Sequence, residues 1–542
     1  MHKKPFTITL DPGSSLANHT GTWRTMRPVY ADHLPPCNHA CPAGENIQGW
    51  LYHAEEGNYE QAWRLLVEDN PFPAVHGRVC YHPCEPACNR GQLDEAVSIH
   101  AVERFLGDYA IKQGWKVEPG VPTGQKVLVI GAGPSGLSAA YHLARFGHSV
   151  MIYEAGPKPG GMLRFGIPQY RLPREVLDAE IARLETMGVR IQLNRKVDDL
   201  EATMKEEQCQ AVFLAIGAHL SKRVEIPGRD AGRMIDALSF LQDSASGQPP
   251  KIGRRVAIYG GGNTAIDAAR TAKRLGAEEA IILYRRDEEH MPAHEFEVQE
   301  ALEEGVLTHW LRTIKQAEDT TLTVEVMELD ETGYPQPTGR FETLEADTVI
   351  LALGQAVDTG FLEKVPGLDI SKDGVIQVDA SMMTGRLGVF AGGDMVPAER
   401  TVTVATGHGK KAARYIDAYL RGAQYQKPAS NPLATYDRLN TWYYTDADQS
   451  KQPYLAQARR QASFDEVVGG LDEQTALLEA RRCLSCGTCF ECDTCYGVCP
   501  DNAIFKLGPG KRYEINYDYC KGCGLCAQEC PCGAIDMVKE VT

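Results

Sequence analysis

Cysteines stand at C-x2-C-x2-C-x3-C-P spacing twice near the end of the chain, as Cys489, Cys492, Cys495 and Cys499 and again as Cys520, Cys523, Cys526 and Cys530. Three thiolates three residues apart can wrap one face of an iron–sulfur cubane, and the proline turns the chain towards a second one. In paired runs of this kind the fourth cysteine serves the neighbouring cluster. The spacing therefore predicts that Cys489, Cys492, Cys495 and Cys530 hold one [4Fe–4S] cluster, and Cys520, Cys523, Cys526 and Cys499 another. The chemistry is one-electron transfer. Seventeen cysteines in tight groups, with no sustained apolar stretch in MHKKPFTITLDPGSS, favour metal ligation in a reducing compartment. Disulfides fit this clustering poorly, and zinc ribbons use paired C-x2-C instead. A cytoplasmic location is expected.

Two glycine-rich turns offer a different chemistry. In KVLVIGAGPSGLSAAYHLARFGHSVMIYEAG, an apolar run (Val127–Ile130) leads into Gly131, Gly133 and Gly136, an amphipathic segment, and a second run (Val150–Tyr153) ending at Glu154. The first glycine permits the tight turn, the second lets a pyrophosphate approach the backbone, and the third allows close helix–strand packing. Glu154 is placed to bind a ribose diol. The second unit, RRVAIYGGGNTAIDAARTAKRLGAEEAIILYRR, supplies Gly260, Gly262 and Ala265 in the G-x-G-x-x-A variant. Its second strand ends in Arg285 and Arg286 rather than an acid. Guanidinium groups there favour the 2′-phosphate of NADPH, although Asp287, Glu288 and Glu289 follow at once and NADH stays open. Later, Gly393 and Asp394 in GVFAGGDMV are expected at the ribityl or pyrophosphate part of a flavin. A helix beginning near Ala405–Gly407 would aim its positive end at the flavin ring. Gly161 and Thr406 complete the flavin-side candidates. No catalytic acid, base or nucleophile is expected, because hydride transfer depends on stacking geometry.

These residues require an α/β fold with two dinucleotide-binding units, the second inserted into the first, for FAD and for NADPH or NADH. CQAVFLAIGAH and ADTVILALGQA read as strands where the chain crosses between the units. The expected division is an α-helical iron–sulfur domain over 1–120, an FAD-binding domain over 121–245 and 346–422, and an NAD(P)H-binding domain over 246–345. A linker over 423–482, becoming helical through SFDEVVGGLDEQTALLEARR, then leads to a ferredoxin-like domain over 483–542. A net charge of −16 argues against nucleic acid as a partner, and no apolar run is long enough to span a membrane.

The N-terminal cysteines carry a resemblance. Cys37 and Cys41 in PPCNHACPAGENI, and Cys80, Cys84 and Cys88 in NPFPAVHGRVCYHPCEPACNRG, with VSIHAVERFLGDYA, GIPQYRLP and YRRDEEHMPAHE further on, resemble the glutamate synthase small subunit and the electron-input half of dihydropyrimidine dehydrogenase. The resemblance covers roughly residues 35–420 and implies two further [4Fe–4S] clusters beside the FAD/NADPH module. The family pattern begins with an R-C-x-x-C-G run that is missing here, yet Cys483 and Cys486 stand in EARRCLSCG, surplus to the ferredoxin ladder. They are expected to complete one cluster with Cys37 and Cys88, by folding back or from a second protomer. Relatives use Glu or Gln as a ligand of the other cluster, which implies Cys41, Cys80, Cys84 and Glu103. Fifteen cysteines and Glu103 then serve four clusters, leaving Cys209 and Cys532 free.

The expected function is an NAD(P)H:acceptor oxidoreductase, an electron-input subunit passing electrons through FAD and four clusters to ferredoxin or a larger catalytic subunit, or running in reverse. A glutamate synthase small subunit is the alternative, and an electron carrier with vestigial nucleotide sites is a third reading. Homodimer and hetero-oligomer both stay open.

Overall fold

The computed structural model describes residues 19–222, 226–227 and 233–540. The N-terminal stretch read for a secretory leader lies outside them.

Strands that are apolar at nearly every position need cover on both faces, which suits a parallel sheet between helices. Lys126–Ile130, Ser149–Tyr153, Arg190–Gln192, Ala211–Leu214 and Val389–Ala391 form such a sheet, with Lys126–Ile130 in the middle. The helix Pro134–Arg145 follows the first glycine turn; its proline occupies the first turn, where an N–H would lack an intrahelical partner. A second parallel sheet runs in the order Leu307–Trp310, Glu279–Tyr284, Arg255–Tyr259, Thr348–Leu351, Arg233–Asp236. It reaches beyond the expected 246–345 span at both ends, because Thr348–Leu351 pairs with Arg255–Tyr259 on one side and Arg233–Asp236 on the other. The chain crosses between the two sheets as a short antiparallel ribbon, Leu220–Ser221 with Gln355–Ala356. Arg312–Ala317, Thr321–Leu329 and Pro335–Glu345 add a three-stranded antiparallel sheet.

Before these sheets come the helices Pro36–Ala40, Ile47–Glu55, Tyr59–Leu66, Pro73–Val79 and Ile99–Gln113. Trp50, Leu51, Leu66 and Leu106 fill their core, joined by Leu471, Ala476 and Ala480 from the far end of the chain. The connector is helical over less than the sequence suggests. Its helix is Glu473–Ala480, started by Asp472, whose carboxylate accepts from Thr475 N at 2.8 Å. Before it, Gly469 packs on Pro453 and Gly470 faces the Arg104 guanidinium, outside any helix.

The C-terminal unit holds two short helices, Thr494–Val498 and Leu525–Gln528, and a hairpin of Ile504–Lys506 with Tyr513–Ile515. Its last strand, Ile535–Lys539, pairs antiparallel with Met26–Tyr30, the first strand described. No helix among the described residues is long and apolar enough to cross a membrane.

Candidate functional site

At the carboxyl ends of both sheets, where strand order reverses, lies a cavity of about 720 Å³. This is where nucleotides bind in doubly wound folds. Gly131 has φ +104°, and a Cβ there would sit 2.3 Å from the Ala215 carbonyl oxygen. Gly136 is equally tight against the Gly131 carbonyl, whereas a Cβ on Gly133 would meet nothing within 4 Å. That opening is what close approach of a pyrophosphate needs. Glu154 accepts from Ala132 N at 2.8 Å and Gly156 N at 2.7 Å, so its carboxylate is fixed at the cavity wall. Gly161 packs on Gly133, and Gly393 and Asp394 line the same space. Burial pushes the Asp394 carboxyl up, opposed by Arg400 and His219.

The helix expected to begin near Ala405–Gly407 begins at Val402 and runs to Leu420, capped by Thr401, whose hydroxyl accepts from Val404 N at 3.2 Å. Thr401, Val402 and Ala405 line the cavity. Thr406 stands behind them, its hydroxyl 3.0 Å from His76 Nε2 and its carbonyl accepting from Ser138 Oγ at 2.8 Å.

On the other wall, Gly260 (φ +145°) packs on the Ala352 carbonyl, Gly262 faces open space, and Ala265 is buried. Asn263, Thr264 and Asp267 line the cavity. Arg285 is exposed and Arg286 half-buried, with Arg286 Nε buried and without a hydrogen-bond partner. Asp287 is engaged by His290, whose Nδ1 lies 2.6 Å away. Tyr81, from the iron–sulfur domain, was not singled out by the sequence. It reaches into the cavity, accepts from Asn263 Nδ2 at 2.6 Å and stacks on His294 at 3.5 Å between centroids. Arg171 of GIPQYRLP binds both Asp267 oxygens and also Glu297, tying the two nucleotide units together.

Within this single chain the structure brings Cys37, Cys88, Cys483 and Cys486 together around one small pocket. Asn89 Nδ2 donates to the Ala434 carbonyl at 2.7 Å and lies 3.5 Å from Cys486 Sγ. Arg482 holds the returning segment through Glu479, Asp94 and the Ala96 carbonyl. Cys41, Cys80 and Cys84 form another group. Burial first pushes the Cys41 and Cys84 thiols up, and then Glu45 at Cys41, Glu85 at Cys84 and Cys80 at both add to it. Cys80 Sγ accepts from Thr403 Oγ1 at 3.0 Å and from His82 N at 3.2 Å. Glu103 is fully buried beside them, accepting from Asn70 Nδ2 at 2.7 Å, and burial pushes its carboxyl well up. Two residues the sequence did not point to share this place. Glu45 and His76 offer atoms within 4.8 Å of one another and of Glu103; burial pushes Glu45 up to about 7 and His76 down to about 3.

In the C-terminal unit Cys499, Cys520, Cys523 and Cys526 line one pocket. Cys489, Cys492, Cys495 and Cys530 are mutual neighbours across the pseudo-repeat, and Tyr30 OH lies 3.3 Å from Cys495 Sγ. Cys492 and Cys523 are exposed. Cys209 is half-buried, and Cys532 is buried with its sulfur 3.7 Å from that of Cys530. The four donor sets, rich in thiols and drawn into compact groups, suit iron–sulfur clusters.

Residues 125–409 match the family profile described as pyridine nucleotide-disulphide oxidoreductase. Residues 26–115 match the profile of dihydropyrimidine dehydrogenase domain II, 4Fe-4S cluster, and residues 488–534 match that of the 4Fe-4S dicluster domain. Among curated proteins, the chain is 37% identical to the NADP(+)-dependent formate dehydrogenase subunit beta of Moorella thermoacetica, over 83% of this chain and 70% of that one. It is 33% identical to the NADPH-Fe(3+) oxidoreductase subunit beta of Geobacter sulfurreducens, over 83% and 75%. It is 34% identical to the glutamate synthase [NADPH] small chain of Azospirillum brasilense, over 72% and 87%.

Proposed function

The chain belongs to the pyridine nucleotide-disulphide oxidoreductase family, and from that premise we propose that it is the NADPH-oxidising electron-input subunit of a larger oxidoreductase, passing electrons through FAD and four [4Fe–4S] clusters to a partner. One observation carries the reading. The cavity between the two nucleotide units is also lined by Tyr81, next to Cys80, whose sulfur accepts from Thr403 on the helix that borders the same cavity. This supports a hydride site that shares a wall with the Cys41, Cys80 and Cys84 group.

When bound, FAD would take both electrons of a hydride and release them singly to clusters that each carry one. Glu154 is assigned to the FAD ribose, the Gly133 opening to its pyrophosphate, and Asp394 to its ribityl chain. The N-terminus of the Val402–Leu420 helix directs positive charge at the ring. Asn263, held by Tyr81, stands at the N-terminus of the helix after the second glycine turn, where the pyrophosphate of the nicotinamide nucleotide would lie, and Arg171 ties the two nucleotide units together. The unpartnered Arg286 Nε supports a phosphate there, hence NADPH. Cys41, Cys80, Cys84 and Glu103 are proposed as the first cluster's ligands, and Cys37, Cys88, Cys483 and Cys486 as the second's. The crossed ferredoxin sets follow, with exit through the exposed Cys492 or Cys523 rims. The formate dehydrogenase and Fe(3+) oxidoreductase relatives are named as beta subunits, which supports a partner catalytic subunit. The residues 488–534 match gives the wire an exit of its own and favours this over the glutamate synthase alternative.

Anaerobic mixing of the reconstituted chain with NADPH should bleach the flavin band and then the broad iron–sulfur absorbance. In Cys80→Ser the flavin should still bleach while cluster reduction stalls. A flavin left oxidised by NADPH would overturn the reading.

A further inference from the structure

We propose that Thr403 is a positioning residue for electron entry: its hydroxyl fixes the Cys80 sulfur and makes the cluster held there easier to reduce. This rests on the assignment of Cys80 to the first cluster, and it adds what one uncharged side chain does to that cluster.

Thr403 lies in the first turn of the Val402–Leu420 helix and is 3% exposed. Its neighbours Thr401, Val402 and Ala405 line the nucleotide cavity, whereas Thr403 turns to the iron–sulfur domain, with Oγ1 donating to Cys80 Sγ at 3.0 Å. Tyr81, next in the chain after Cys80, lines the same cavity. Cys80 is therefore tied to the cavity wall from two directions. A metal-bound cysteine is a thiolate and has no proton to give, so the hydroxyl must be the donor. Valine would fill the space of Thr403 with the same shape, as its neighbours Val402 and Val404 show for this turn. What threonine adds is the hydroxyl, and a buried hydroxyl is costly unless it has a partner. Here the partner is the sulfur.

Such a bond favours one redox state over the other. Reduction by the flavin adds one electron, and the hydroxyl keeps its proton throughout. Part of the added negative charge falls on the sulfurs, and a hydrogen bond to a more negative acceptor is stronger. Hydrogen bonds to the sulfurs are among the factors that set the potentials of these clusters. His82 N donates to the same sulfur at 3.2 Å, and the helix N-terminus adds its positive end. Both are backbone features that survive any change of the Thr403 side chain, so the contribution of the hydroxyl can be measured by itself.

Thr403→Val removes the hydroxyl and keeps the shape; Thr403→Ser keeps the hydroxyl and removes the methyl group. Redox titration of the reconstituted chain, followed by electron paramagnetic resonance, reads the potential of the signal that Cys80→Ser lacks. In Thr403→Val we expect the reduced-to-oxidised ratio of that cluster at a fixed potential to fall at least threefold, a potential about 28 mV lower for one electron at about 59 mV per tenfold. Thr403→Ser should change the ratio less than twofold. A smaller or opposite shift in Thr403→Val, or a twofold or greater fall in Thr403→Ser, overturns the proposal. Should Thr403→Val lose iron, Thr403→Ala takes its place under the same criterion. A wild-type spectrum with no signal that depends on Cys80 overturns the cluster assignment, and the proposal with it.

Discussion

Arg286 follows the Glu279–Tyr284 strand of the second nucleotide unit, and its Nε is buried without a hydrogen-bond partner. A buried donor in that state is costly, and a hydrogen bond from it to a charged oxygen contributes about 1.5–3 kcal/mol. The 2′-phosphate of NADPH offers such charged acceptor oxygens, and NADH lacks it. Arg286→Ala should therefore raise the KM for NADPH about tenfold or more while changing that for NADH less than twofold, as steady-state dye reduction with each nucleotide will read. Equal effects on both would assign Arg286 to packing. The sequence showed this arginine but could not show that Asp287, beside it, turns to His290. The same limit applies around Glu103. A family resemblance pointed to it, whereas Glu45 comes from the loop before the Ile47–Glu55 helix and His76 from Pro73–Val79, and only the fold sets them beside it. Tyr81 was missed for a related reason: its neighbours Asn263 and His294 belong to another unit.

The Val402–Leu420 helix joins the cavity to the iron–sulfur domain, and two glycines let it do so. A Cβ on Gly407 would stand 2.2 Å from the Pro42 carbonyl oxygen, and one on Gly409 would stand 2.3 Å from that of Ser135. One glycine thus seats the helix on the Cys41 loop and the other on the helix after the first glycine turn. Backbone atoms cannot yield as a flexible side chain can. Gly409→Val should cost about 1–3 kcal/mol or more through overpacking and should release flavin; the flavin-to-protein ratio and the melting temperature read both. Full flavin content at an unchanged melting temperature would show that the packing is looser than this geometry. The sequence revealed the helix but placed its start late, because Val402, Thr403 and Val404 alternate β-branched residues like a strand, and the Thr401 cap governs. Both glycine turns, by contrast, were legible in full, since a positive φ and a close backbone approach are local demands on residue type. The pairing of Met26–Tyr30 with Ile535–Lys539 had no local signal, for its two strands come from opposite ends of the chain.

Across the whole molecule, that strand pair is one of several ties that return the C-terminal end to the N-terminal domain. Glu479 accepts from Ser98 N at 2.7 Å, Arg482 binds Asp94 and Ala96, and Cys483 and Cys486 face Cys37 and Cys88. Counting ligands in the sequence anticipated the last tie but left open whether a second protomer supplies it; here it lies within one chain. Closing nearly the whole chain into a loop costs only slowly more entropy as the loop lengthens, by ~0.6 kcal/mol per doubling. A cluster bound across the junction can therefore hold the ends together while also linking the entry clusters to the exit. Cys483→Ser with Cys486→Ser separates these roles from the chemistry upstream, since neither residue touches the nucleotide cavity. We expect the double variant to lose about four irons per chain, the content of one [4Fe–4S] cluster. NADPH should still bleach its flavin at the wild-type rate. Rapid-freeze electron paramagnetic resonance should then show the Cys80-side cluster reduced while signals from the ferredoxin pair lag far behind. Undiminished iron would remove the shared cluster, and unslowed reduction of the ferredoxin pair would mean that electrons reach the exit by a route that bypasses the junction.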